Sequence, residues 1–128
     1  MSRWHSITLI CFVFQVLVGC SNSTGPSAGS LEMTFSAQRA NEGAVLLVVS
    51  GGPVDSVESL GYPIYSARLG GDTLKLIVTG QLSSGPLARL HIPDSGRAST
   101  YNARVAQVAT RGTYVLKDLA GYTVSLEQ

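Results

Sequence analysis

The sequence predicts an all-β domain, a single small antiparallel β-sandwich of about seven to nine strands, preceded by a cleaved export signal and a flexible tether. Three observations predict it. Apolar residues from Leu31 onward recur mainly with period two, the spacing of strands that bury one face. Gly-, Pro- and Ser-rich turn signals separate these stretches at intervals of about 8 to 12 residues. No long helical pattern interrupts them.

The N-terminal segment comes first. Arg3 gives a positive start, and residues 7–18 form an almost uninterrupted apolar stretch, which Gln15 interrupts. A small residue, Gly19, precedes Cys20, and the polar residues Ser21, Asn22, Ser23 and Thr24 end the run. This is the three-part plan of a secretory signal. A membrane-spanning helix needs about 20 apolar residues, so the segment reads as export rather than as a permanent span.

Leu17, Val18, Gly19 and Cys20 resemble the lipobox of bacterial lipoproteins at all four positions. The resemblance implies that the Cys20 thiol receives a diacylglyceryl group, that residues 1–19 are removed, and that the new amino terminus is acylated. It therefore implies attachment to a membrane through lipid on Cys20 and residence in the cell envelope, at the outer membrane facing the periplasm or at the cell surface. Ser21, rather than Asp, is consistent with the outer membrane under the common sorting rule. Two or more acyl chains anchor stably where one gives only marginal binding, at about 0.8 kcal/mol per buried methylene. The alternatives on the same residues are a plain cysteine near the end of a signal and an uncleaved anchor.

Loss of the leader changes the composition. The chain has nine basic and eight acidic residues. Arg3 leaves with the leader, so the mature side chains balance with His neutral, and no run of like charge occurs. Nothing in this pattern is the footprint of a nucleic-acid binder. Of the two cysteines, Cys11 leaves and Cys20 carries lipid, so no thiol remains for a disulfide or a zinc site. The fold must rest on its core, for which about 98 residues suffice. Residues 20–30 form the lipidated cysteine and a Ser/Gly-rich tether, and 31–128 the domain. A tether of about ten such residues spans roughly 15 to 20 Å. The Asn22-Ser23-Thr24 sequon within it is read as chance.

Within the domain, Leu31, Met33 and Phe35 alternate with polar neighbours, as do Leu74, Leu76 and Val78, Ala88, Leu90 and Ile92, and Tyr122, Val124 and Leu126. Ile77 is expected to point outward. Residues 44–49 are apolar throughout and predict a central strand. Gly70 and Gly71 suit a two-residue hairpin between segments 62–69 and 72–79, and Ser83-Ser84-Gly85-Pro86 supplies another turn. Segment 97–110 carries two competing periods. Ala98, Tyr101, Val105 and Val108 fit a helix that Asp94 or Ser95 would cap, whereas Tyr101, Ala103 and Val105 share one face of a strand. A strand over 101–109 is favoured, followed by a short strand over 113–117. This order of segments resembles the cohesin-type and immunoglobulin-like sandwiches of exported bacterial proteins, in architecture alone. The known cohesin domain is longer, and none of its dockerin-recognition residues has a counterpart here.

Motifs for chemistry are weak. His91 is the only histidine after the leader, and with Asp94 and Ser95 it spells the members of a triad. Those three sit on one strand end and turn, whereas triads draw their members from separate elements. The acids are scattered without metal-ligand spacing, although Asp55 and Glu58 flank a turn where calcium could sit. Pro53 after Gly51-Gly52 removes the N–H that a phosphate cradle would use. Tyr62 and Tyr65 fall on opposite strand faces. No enzyme, cofactor or metal is expected. The expectation is a lipid-anchored sandwich that binds another protein, possible envelope partners included, or has a structural role. The alternative is a small-ligand module, for calcium, a sugar or a peptide, using the loops at Gly51-Gly52 and at Asp94 to Arg97.

Overall fold

The computed structural model describes residues 25–39 and 42–128. The leader, the lipobox with Cys20 and the first part of the tether lie outside the described residues. Eight strands form two four-stranded antiparallel sheets. They are β1 (Gly29–Ser36), β2 (Glu42–Ser50), β3 (Ser56–Ser59), β4 (Ile64–Leu69), β5 (Thr73–Leu82), β6 (Gly85–Ile92), β7 (Asn102–Thr110) and β8 (Thr123–Glu127). Sheet A has the order β3-β6-β1-β8 and sheet B the order β4-β5-β2-β7. The fold is an all-β sandwich, as the period-two pattern predicts.

The core lies between the inward faces. Leu31, Met33 and Phe35 of β1 meet Val45, Leu47 and Val49 of β2 and Leu74, Leu76 and Val78 of β5, all buried in one cluster. Full burial of such side chains stabilises by roughly 1.5 to 3 kcal/mol each. The Phe35 and Tyr122 rings stack with centroids 6.1 Å apart and planes 12° from parallel. Strand β2, flanked by β5 and β7, is the central strand that its unbroken apolar run predicts. A bulge in each sheet adjusts the pattern. Met33 pairs with Ala88 and Thr34 with Pro86, so Leu87 is the extra residue and both Leu87 and Ala88 are buried. Leu46 pairs with Gln107 and Leu47 with Val105, which makes Ala106 the extra residue of β7 and restores Val108 to the core.

Four details differ from the sequence reading. β1 begins at Gly29 rather than Leu31, because Ser30 pairs with His91 and Gly29 with Ile92, taking the last tether residues into the sheet. Leu69 pairs with Thr73, so the β4–β5 loop has three residues, with Asp72 joining Gly70 and Gly71. Segment 97–110 divides between its two periods: a 3-10 helix, Ser95–Thr100, capped by Asp94, and then β7. The short strand expected over 113–117 is reduced to one bridge, Ala109 with Leu116, because the chain turns through Tyr114 at φ 51°.

The β4–β5 loop is the one hairpin within a sheet. Every other connection passes from one sheet to the other. The turn at Ser83-Ser84 is such a crossing, and the Ala37 N–H donates to Ser84 Oγ at 2.8 Å, tying the end of β1 to it. The crossings gather loops at the two ends of the sandwich, and one end holds the cleft described next.

Candidate functional site

At the end of the sandwich where the chain enters β1, the two loops singled out in the sequence meet. Gly51 adopts φ 104°, a conformation L side chains rarely tolerate, and this turns the chain after β2. Gly52 lies against the Tyr101 ring, where a Cβ would stand 2.6 Å from Cζ. The Tyr101 hydroxyl donates to the Pro53 carbonyl oxygen at 2.5 Å, and Thr100 Oγ1 stands 3.1 Å from the Gly51 carbonyl oxygen and 2.8 Å from that of Arg97. Asp94 Oδ1 accepts from the Gly96 N–H at 2.9 Å. The Ser95 N–H donates to the Ser27 carbonyl at 2.7 Å, bringing the incoming chain against the same loop.

The result is a cleft of about 210 Å³ lined by Pro26, Gly52, Pro93 and Tyr101, with Asp72, Asp94 and Arg97 as its charged groups. Burial, and secondly the negative charge of Asp72, push the Tyr101 hydroxyl above its ordinary pKa, so it stays protonated as the donor to Pro53. The polar groups named here hold the loops to one another. The arrangement offers shape and a few hydrogen-bonding edges rather than an activated nucleophile or a paired acid and base.

The other residues singled out in the sequence are placed differently. His91 does not join Asp94 and Ser95 in a triad. Its Nε2 stands 3.1 Å from Glu58 Oε2 on the outer face of sheet A, while Asp94 is occupied with its cap. Glu58 also lies 3.6 Å from Arg89, which reaches Glu32 at 3.7 Å. Glu58 is thus engaged across the sheet, and among the described residues no group of three or more His, Cys, Asp or Glu side chains is placed to hold a metal ion. Tyr62 packs against the core, whereas Tyr65 is 65% exposed, in keeping with their opposite parity.

Two features escaped the sequence reading. Glu42, 1% exposed, is the buried charged residue among those described. Its Oε1 accepts from Lys117 Nζ at 2.8 Å and from the Tyr122 hydroxyl at 2.6 Å. Burial alone would raise the Glu42 carboxyl, but the hydrogen bonds from Lys117 and Tyr122 overcome it and hold the pKa below its ordinary value. The hydrogen bond to Glu42 raises Lys117 correspondingly. The trio pins the crossing from β7 to β8 onto the start of β2. No local pattern announces it, since Glu42 and Lys117 are 75 positions apart.

The second feature is the outer face of sheet B. Gln107, Leu46, Ile77 and Tyr65 are direct partners across its four strands. Ile77 is 44% exposed and Leu116, bridged to Ala109 beside this row, 62%. A row of Leu46, Ile77 and the Tyr65 ring therefore spans β2, β5 and β4 on the solvent side and ends at Gln107 of β7. The outward turn of Ile77 was legible from parity; its alignment with Leu46 and Tyr65 depends on the register of three strands.

No helix among the described residues is long and apolar enough to cross a membrane. In comparisons with known proteins, no family model, curated protein or solved structure matches the chain.

Proposed function

We propose that this chain is a lipid-anchored envelope protein whose β-sandwich binds another protein through the outer face of sheet B. The anchor rests on the lipobox resemblance at Leu17, Val18, Gly19 and Cys20. The binding role rests on the apolar row of Tyr65, Ile77 and Leu46, since a contiguous exposed apolar surface on a small domain marks a contact site. An enzymatic role has no support in the chemistry of the cleft. Mass spectrometry of the mature protein tests the anchor, with an N-terminal residue at Cys20 carrying lipid as the expected result. For the binding role, the intact lipoprotein is purified by affinity from solubilised membranes. A reproducible protein partner, lost in an Ile77→Asp variant, is expected; recovery of none overturns the reading.

A second reading is supported by the cleft itself, where the loops at Gly51-Gly52 and Asp94 to Arg97 converge. Its volume of about 210 Å³ is below the usual range for drug-sized ligands, roughly 300 to 1,000 Å³, and suits a short peptide end or a single sugar. A thermal-shift screen with calcium, sugars and peptides tests it, and an unchanged melting temperature across the screen removes it.

A further inference from the structure

The four sheet edges are unequal. Strands β7 and β8 lie beside each other where the sheets meet, so each shields the other. Strand β3 is four residues long and carries Glu58, two of the devices by which proteins blunt an edge. Strand β4, Ile64–Leu69, is six residues long, exposed at five of them, and has one charged residue, Arg68, with no proline or bulge. Arg68, which donates to the Asp55 carbonyl oxygen at 3.3 Å, is its single such device.

Its free hydrogen-bonding groups follow from the ladder. The Thr79 N–H donates to the Pro63 carbonyl at 3.1 Å. By the alternation of antiparallel pairing, the backbone groups of Tyr65, Ala67 and Leu69 then face β5, and those of Ile64, Ser66 and Arg68 point out of the sheet. Directly opposed residues of an antiparallel pair share a face. A two-fold pairing of β4 with itself must therefore centre on a residue. Centred on Ala67, it sets Tyr65 against Leu69, 65% and 43% exposed, on the outer face, and Ser66 against Arg68 on the inner one. No like charges oppose each other, and the Ser66–Arg68 pairs exchange both backbone bonds. The apolar row of sheet B would then run on into its counterpart.

We infer that a second copy of this chain docks antiparallel on β4, with Ala67 at the two-fold axis, joining two B sheets into one of eight strands. This goes beyond the protein-binding reading, because the pairing uses the β4 edge and leaves the outer face of sheet B open. Across a non-hydrogen-bonded pair the Cα atoms stand about 4.5 Å apart, within the disulfide range of roughly 4.4 to 6.8 Å. Two copies of position 65 would stand about 14 Å apart, four residues out of step at about 3.4 Å each.

The test is oxidative cross-linking of the full chain in its own membranes. An Ala67→Cys variant is expected to give a disulfide-linked dimer, at roughly tenfold or more the yield of Tyr65→Cys and of the parent chain. Adding Ser66→Pro removes an outward N–H without touching the β4–β5 ladder and is expected to abolish the dimer while the melting temperature holds. Equal yields at positions 65 and 67, no dimer at either, or indifference to Ser66→Pro each overturns the inference. A photo-cross-linking residue in place of Ile77 tests the outer face, which edge pairing leaves open. Capture of a different protein there supports the contact reading and capture of nothing overturns that reading, while the yields at positions 65 and 67 and the response to Ser66→Pro decide self-pairing on their own.

Discussion

Across sheet A the outward row reads Glu127, Glu32, Arg89 and Glu58; across sheet B the equivalent row reads Gln107, Leu46, Ile77 and Tyr65. Both rows cross four antiparallel strands at the same pleat. The first is a set of exposed ions, Arg89 drawing in two carboxylates and Glu58 also meeting His91. Water satisfies that surface well, and it costs little to leave exposed. The second carries no charge, and between the Gln107 amide and the Tyr65 hydroxyl at its ends Leu46 and Ile77 offer water nothing to bond. The cations of this face, Lys75 and Arg104, lie in the next outward row, beside Val48. Folding alone explains neither choice, because the core is the same whichever residues face out. The difference is one that the core does not require, and the proposed contact surface on sheet B rests on it.

Substitutions can break or sharpen this contrast. The largest effect is expected between the two faces of one strand. Leu76→Ala, in the core, should cost about 2 to 5 kcal/mol, and its neighbour Ile77→Ser about 0.5 kcal/mol or less, as measured by denaturant unfolding. Equal losses would mean that Ile77 is part of the monomer's packing after all. Next comes acid. Because the Glu42 pKa is lowered from 4.5, its stabilisation is complete above that value and drains away as pH falls through the folded-state pKa. The melting temperature should drop on that acidic limb in the native chain, and Glu42→Gln should flatten the limb.

Tyr101→Phe, which removes the donor to Pro53, should cost about 1 kcal/mol in thermal unfolding and loosen the cleft. Arg89→Ala is expected to matter least, about 0 to 1 kcal/mol, and less still at high salt, which screens exposed pairs. A loss of several kcal/mol there would make the charged face a structural element and weaken the contrast.

The strands that bury one face were legible because parity alone fixes which residues turn inward. That held for Leu31, Met33 and Phe35 in β1 and for Leu74, Leu76 and Val78 in β5. The bulges at Leu87 and Ala106 were not, since an extra residue shows only against its partner strand. Segment 97–110 was ambiguous for a physical reason: Asp94 does cap a helical turn, and Tyr101, Ala103 and Val105 do share a strand face, one following the other. The cleft's loops were visible as turn residues, but their convergence was not, because Thr100 and Gly51 meet only through the sandwich topology. Glu42 reads locally as a polar residue before a strand. Its burial depends on Lys117 and Tyr122 arriving from the far end of the chain.

The entry of the chain beside the 3-10 helix, where Ser27 receives the Ser95 N–H, bears on how an anchored molecule would lie. Antiparallel pairing on β4 sends the two entering chains to opposite ends of the joined sheet. Residues 21–28, fully extended, reach at most about 27 Å, comparable to the length of the strands themselves. Both anchors could then reach one bilayer comfortably only with the strands parallel to its surface and the two-fold axis along its normal. The pair would rest on the membrane as a low slab, one broad face toward the headgroups and the other open to the compartment beyond.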